Sequence, residues 1–274
     1  MWLPWTYAVA IVAVLLIAMF ALRASGRYPK WAYIARELAL VFALYAVWQI
    51  ASSLSFGRLT SADDAGLWLA RLERTLHWPN EASWQHPVLQ HEWLVHFADL
   101  YYAGVHVPVL LITLVWVFIW HRPNWPFART SVAILTGFCL VIQYIPVAPP
   151  RLLPSLGLVD TALRDHLSVY SAVAGANQYS AMPSLHVGWS AAAALLVIVC
   201  ARTRWRWLAI LYPLMTTWVV VVTGNHFLID GAVAVVLLGA AVGITYAIPS
   251  QRPVREASEQ QEAQATEPLP APTA

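Results

Sequence analysis

Apolar stretches of about twenty residues recur along the chain, at residues 5–22, 37–55, 97–120, 130–147, 185–201, 207–224 and 226–248. A bilayer core of ~30 Å takes about 20 apolar residues of helix to cross. Only 11% of the residues are charged and 59% are hydrophobic, against roughly 25% charged in a soluble domain. The chain therefore reads as an all-α, polytopic membrane helical bundle of about seven transmembrane helices. Its 274 residues fill one such bundle and leave little for a soluble domain.

The first stretch resembles a signal peptide in length. It lacks a basic leading region, and Arg23-Ala24-Ser25-Gly26-Arg27 is a poor cleavage context, so it is kept as a helix. The net charge of +2 is too small for a nucleic-acid partner, and the arginines fall in short clusters rather than on one basic face. Cys139 and Cys200 lie inside apolar runs without metal-ligand spacing and read as small buried hydrophobes.

Basic residues set the expected orientation. Arg23, Arg27, Lys30 and Arg36 follow the first stretch, and Arg122 and Arg129 the third. Arg202, Arg204 and Arg206 follow the fifth, and Arg252 and Arg255 the last. Threading seven helices puts all of them on one side, the cytoplasm, and the loops that carry His186 and His226 on the outside.

Two of the outer segments are long. Residues 57–96 include Leu69, Leu72 and Leu76 on one helical face with Arg71 and Arg74 opposite, which predicts an amphipathic helix in the interface or capping the bundle. Residues 148–184 begin with Pro149-Pro150-Arg151 and end with Met182-Pro183-Ser184; loops of this length are usually functional or disordered. From Ser250 the chain is rich in Pro, Glu, Gln and Ala and reads as a disordered cytoplasmic tail.

The chemistry-bearing residues stand at the outer ends of apolar runs. In Gly224-Asn225-His226-Phe227-Leu228-Ile229-Asp230, positions 226 and 230 share a helical face. A carboxylate on the far ring nitrogen would orient an imidazole that attacks phosphorus or accepts a proton; a pair that merely pins a helix end is the plainer alternative. His186 follows Ser184, a good N-cap, so a helix N-terminus with free N–H groups sits beside an imidazole, a setting for a phosphate. An ordinary capped helix with an interfacial histidine fits equally. Arg151 could clamp phosphate oxygens or simply meet lipid headgroups. Ionisable groups at membrane depth mark functional sites by default, and four of them on one predicted face form a parts list for phosphoryl transfer.

Pro146-Val147-Ala148-Pro149-Pro150-Arg151, then Pro183-Ser184-Leu185-His186, then Gly224-Asn225-His226 with Asp230, resembles the type 2 phosphatidic acid phosphatase (PAP2) superfamily. The pattern is most similar to the branch that includes inositol phosphorylceramide synthases, over about residues 60–248, with Leu72-Glu73, Tyr102 and His106 inside it. The resemblance implies a six-helix core and divides the chain into two N-terminal helices (1–56), a catalytic membrane domain (57–248) and the tail (249–274). It implies that His226 attacks phosphorus, Asp230 orients it and His186 protonates the departing oxygen. Arg151, Ser184 and Asn225 would hold the phosphate, and no metal or other cofactor is expected. Tyr102, His106, Tyr144 and Gln178 are candidate substrate-pocket residues; an interhelical pair is the plainer reading of Tyr102 and His106. His77, His86, His91, His96, His121 and His166 are expected to carry no chemistry.

Three positions depart from the commoner phosphatase pattern. Leu185 replaces a glycine, Tyr144 stands where a lysine is usual, and Val219-Val220 replaces Ser-Arg. The pocket thus lacks two cations, and Arg151, histidine charge, helix dipoles or Asn225, Gln178 or His106 must compensate.

The leading expectation is a plasma-membrane phosphatase or phosphotransferase acting on a lipid phosphate at the outer face. The substrate could be phosphatidic acid, a polyprenyl (di)phosphate or a phospholipid headgroup donor. Two other readings stay open: a metal-binding membrane protein with His186, His226 and Asp230 as ligands, and a transporter using these groups as a proton relay. The sequence does not fix the oligomeric state.

Overall fold

The computed structural model describes residues 4–53, 59–164 and 178–254. The boundary expected at 56–57, Arg255, His166 and all but the first residues of the tail lie outside the described residues. Among the described residues every regular element is helical, and one isolated bridge pairs Val147 with Ser180.

Among the described residues eleven α-helices follow in order: α1 (Trp5–Ser25), α2 (Pro29–Ser53), α3 (Leu59–Thr75), α4 (Glu81–Leu89), α5 (Glu92–Gly104), α6 (His106–Trp120), α7 (Trp125–Gln143), α8 (Thr161–Arg164), α9 (Leu185–Cys200), α10 (Leu211–Val222) and α11 (Leu228–Ala247). Among the described residues four are long and apolar enough to cross a membrane once the turns that lead into α7 and α10 are included: α1, α7, α10 and α11. The bent pair α5–α6 would make a fifth. Each of the seven stretches of the sequence is helical over most of its described residues, and α9 has only 16 residues.

The stretch expected to be one helix over 97–120 is two, bent by 49° between Gly104 and His106. Pro108 explains the break: it has no N–H for the Gly104 carbonyl, and its ring crowds that turn. The bend brings His106 to the start of α6, buried.

The amphipathic helix expected near Leu67–Leu76 is α3, which caps one end of the bundle. Leu69 is buried and Arg71 and Arg74 are exposed, as the pattern requires, whereas Leu76 lies past the helix end and is 49% exposed. Ala62, Leu69 and Ala70 pack on Val147, Ala148, Leu153 and Phe227. The approach is close because of Gly66, where a Cβ would stand 2.6 Å from the Ala148 carbonyl oxygen.

At the opposite end a buried ion pair joins α2 to α7. Glu37 accepts hydrogen bonds from Arg129 and, at 2.9 Å, from the Trp125 indole, and pairs with Arg36 at 2.8 Å. Cys139 and Cys200 are free and buried, as their surroundings predict.

Candidate active site

Three chain segments meet at the end of the bundle capped by α3 and α4. The first is the turn between α10 and α11. The N–H groups of Asn225 and His226 both donate to the Val220 carbonyl, at 3.0 and 3.1 Å. Gly224 has φ +68°, and a Cβ there would lie 3.0 Å from Cβ of Arg151. The second segment is the turn at Pro149–Leu152, whose Arg151 N–H donates to the Gly224 carbonyl at 2.9 Å. The third is the start of α9, where the Ser184 N–H donates to the Asp230 carbonyl at 3.1 Å.

His226 does not lie on the helix with Asp230. Phe227 is the N-cap of α11, and His226 stands just before it. The i,i+4 contact nevertheless forms, because Asp230 in the first turn reaches back: Oδ2 accepts the Phe227 N–H at 2.9 Å and lies 3.4 Å from His226 Nδ1. A stronger partner went unforeseen, since the Ala181 carbonyl oxygen is 2.7 Å from the same nitrogen. The carbonyl can only accept, so Nδ1 carries the proton and Nε2 the lone pair. That lone pair faces His186 Nδ1 at 3.4 Å, so the proton in this contact sits on His186.

His186 in turn is packed by two rings. Tyr102 lies 4.5 Å away at 35°, and His106 lies 4.5 Å away edge-on at 76°. Two of the four candidate pocket residues, Tyr102 and His106, are thus buried against the second histidine. Arg151 is buried as well; its Nε donates to Asp160 at 2.9 Å and its Nη2 to Gln178 at 3.5 Å.

Other expected site residues have different employment. Ser184 caps α9 as predicted, its Oγ accepting the Val187 N–H at 3.4 Å, but it is fully buried and its own N–H is taken. The N–H groups of Leu185 and His186, the first two residues of α9, have no partner among the described residues. Asn225 turns its amide onto Thr223 Oγ1 at 2.9 Å, which fixes the turn. Tyr144, the C-cap residue of α7, is 67% exposed, unlike the buried Tyr102 and His106. Among the described residues no group of three or more His, Cys, Asp or Glu is arranged to hold a metal ion.

Two buried carboxylates complete the site. Three successive N–H groups after His226 are each taken by a different acid: Phe227 by Asp230, Leu228 by Glu81 at 3.5 Å and Ile229 by Glu73 at 2.7 Å. Burial, and then Glu81 beside it, pushes the Glu73 carboxyl up to about 9. Glu73 stands four residues after Leu69 on the buried face of α3; a carboxylate inside an apolar stripe was the signal available for it. Asp160 left no such signal, since only the fold sets it against Arg151.

The profile of the PAP2 superfamily matches residues 67–244. The chain belongs to the PAP2 superfamily. Members of the PAP2 superfamily are membrane phosphatases and phosphotransferases, and an enzyme of this general kind is what the chain's membership supports. The matched span runs from α3 into α11 and takes in every segment of the site, while α1 and α2 lie before it. No curated protein and no solved structure matches the chain.

Proposed function

We propose that this PAP2 protein cleaves or transfers the phosphate of a lipid phosphate through a phosphohistidine on His226. The observation that carries the reading is the hydrogen bond from His226 Nδ1 to Ala181, backed by Asp230. It commits Nε2 to the lone pair that a nucleophile needs, in the tautomer that oriented catalytic histidines require.

In the first step the Nε2–P bond forms and the ester P–O bond breaks, with the leaving oxygen taking a proton from His186. In the second, water or an alcohol attacks phosphorus, its proton passes to His186, and His226 is released. Hydrolysis and transfer thus share one intermediate. An in-line phosphoryl group needs roughly 6–7 Å between the attacking and the donating nitrogen. The histidines are 3.4 Å apart, so substrate must part them. Arg151, held by Asp160, supplies the fixed cation, and the N–H groups at the start of α9 supply dipole charge.

An outward-facing site is favoured by charge placement. Arg122 and Arg129 stand at one end of α7 and Arg202, Arg204 and Arg206 follow the far end of α9, whereas the site lies at the opposite ends of both helices. A similarity to the inositol phosphorylceramide synthase branch would favour transfer to an alcohol.

The test is purified protein offered a panel of lipid phosphates with and without alcohol acceptors. Phosphate release or headgroup transfer is expected, unaffected by EDTA and absent in folded His226→Ala. Turnover retained by that variant would exclude His226 as the nucleophile.

A further inference from the structure

A narrow cavity of about 210 Å³ lies between α2, α6 and α7 on the flank of the bundle. One end is formed by Val107, Leu140 and Trp189. Val107 is next to His106, and Trp189 is one helical turn beyond His186. The Trp189 indole is held by Thr136 at 3.0 Å, so this ring is a fixed wall. The other end is formed by Trp125 and Arg129, both bound to Glu37 of α2. Among the described residues of the lining Arg129 alone is charged, and its charge is already met by Glu37. The groove therefore starts beside the histidine cluster and continues as apolar surface down the membrane-spanning part.

Its size is below the roughly 300 Å³ at which pockets for whole small ligands begin, which suits one hydrocarbon chain and not a headgroup. Gly137 lines it on α7, and a Cβ at that position would meet nothing within 4 Å. The opposite wall is Leu44 and its neighbours on α2, a helix outside the region matched by the family profile.

We propose that this groove seats the hydrocarbon chain of the phosphate ester, and that α2 is a specificity-determining wall of the enzyme. The inference rests on the lipid-phosphate reading of the site. Bilayer hydrocarbon is as apolar as the groove, so burial alone gives no preference for the seated chain. The gain is positional: a chain held along α6 and α7 presents its phosphate at a fixed depth and angle to His226. The buried Glu37–Arg129 pair holds α2 in place at the far end.

The experiment compares a long-chain alkyl phosphate with a water-soluble short-chain phosphate monoester, using the full chain in detergent. Gly137→Leu fills the groove, and it raises helix propensity, so folding is spared. Leu44→Trp fills it from α2. Each variant is expected to lower kcat/KM for the long-chain ester by on the order of tenfold or more, leaving the short-chain ester unchanged. Equal loss on both esters, or no loss on either, would overturn the groove. Discrimination by Gly137→Leu but not by Leu44→Trp would overturn the part assigned to α2. If the unaltered protein turned over neither ester, the phosphoryl-transfer reading would fall and the groove with it; turnover of both without discrimination would sink the groove alone.

Discussion

Arg151 donates its backbone N–H to the carbonyl oxygen of Gly224 at 2.9 Å, which makes the arginine turn and the histidine turn one rigid unit. The two residues are 73 positions apart in the chain, yet a Cβ on Gly224 would press on Arg151 Cβ at 3.0 Å. The turns that carry Arg151 and His226 are therefore joined through backbone, not through a flexible side-chain contact.

Gly224→Ala tests that coupling. The left-handed φ of +68° costs an L-residue about 1–2 kcal/mol, and the new methyl must push Arg151 aside. Stability should fall by about that amount and activity should fall further than the stability loss explains. Thermal unfolding and turnover of the same preparation decide it; a variant with normal kcat would show that Arg151 tolerates displacement.

Asp230→Asn should lower kcat, but less than in sites where one carboxylate alone sets the tautomer. The loss there is about 10⁴. Here the Ala181 carbonyl, the closer acceptor, still holds the proton on Nδ1, so a loss on the order of 10² is expected. Single-turnover kinetics would measure it. An unchanged rate would assign the orienting role to Ala181 alone.

Arg151→Lys keeps the charge and removes the planar fork that meets Asp160 through Nε. A fall in kcat on the order of 10² is expected, comparable to losing one preorganised donor. Asp160→Asn should have a smaller effect of the same sign, about tenfold by the same reasoning. Equal activity in Asp160→Asn would leave that residue only its contact with the Leu163 N–H at 3.0 Å.

Glu73 makes the stability of the protein depend on pH. Its folded carboxyl is raised from 4.5 to about 9 by burial and by the neighbouring Glu81. Between those values the folded state holds a proton that the unfolded state has lost, so this contribution is full below about 4.5 and disappears as pH rises towards about 9. Glu73→Gln keeps an acceptor for the Ile229 N–H and removes the titration. Thermal midpoints measured at several pH values across that range should fall with rising pH in the unaltered protein and fall less in the variant.

Membrane residence, the helical class and the PAP2 pattern were legible in the chain because each is local. Apolar runs of bilayer length, a Ser184 cap three residues before Val187, and the His226–Asp230 spacing all act within a few residues of themselves. Even there local reading had limits: Pro108 broke one predicted helix, and Phe227 moved the start of α11 past His226. Only the tertiary structure decided which partners converge. The Ala181 carbonyl on His226, Asp160 on Arg151, Glu73 and Glu81 on the α11 start, and α2 beside the groove join residues distant in sequence. Backbone carbonyls are chemically alike at every position and carboxylates occur throughout the chain. Their selection as partners follows from packing geometry, which no single stretch of sequence contains.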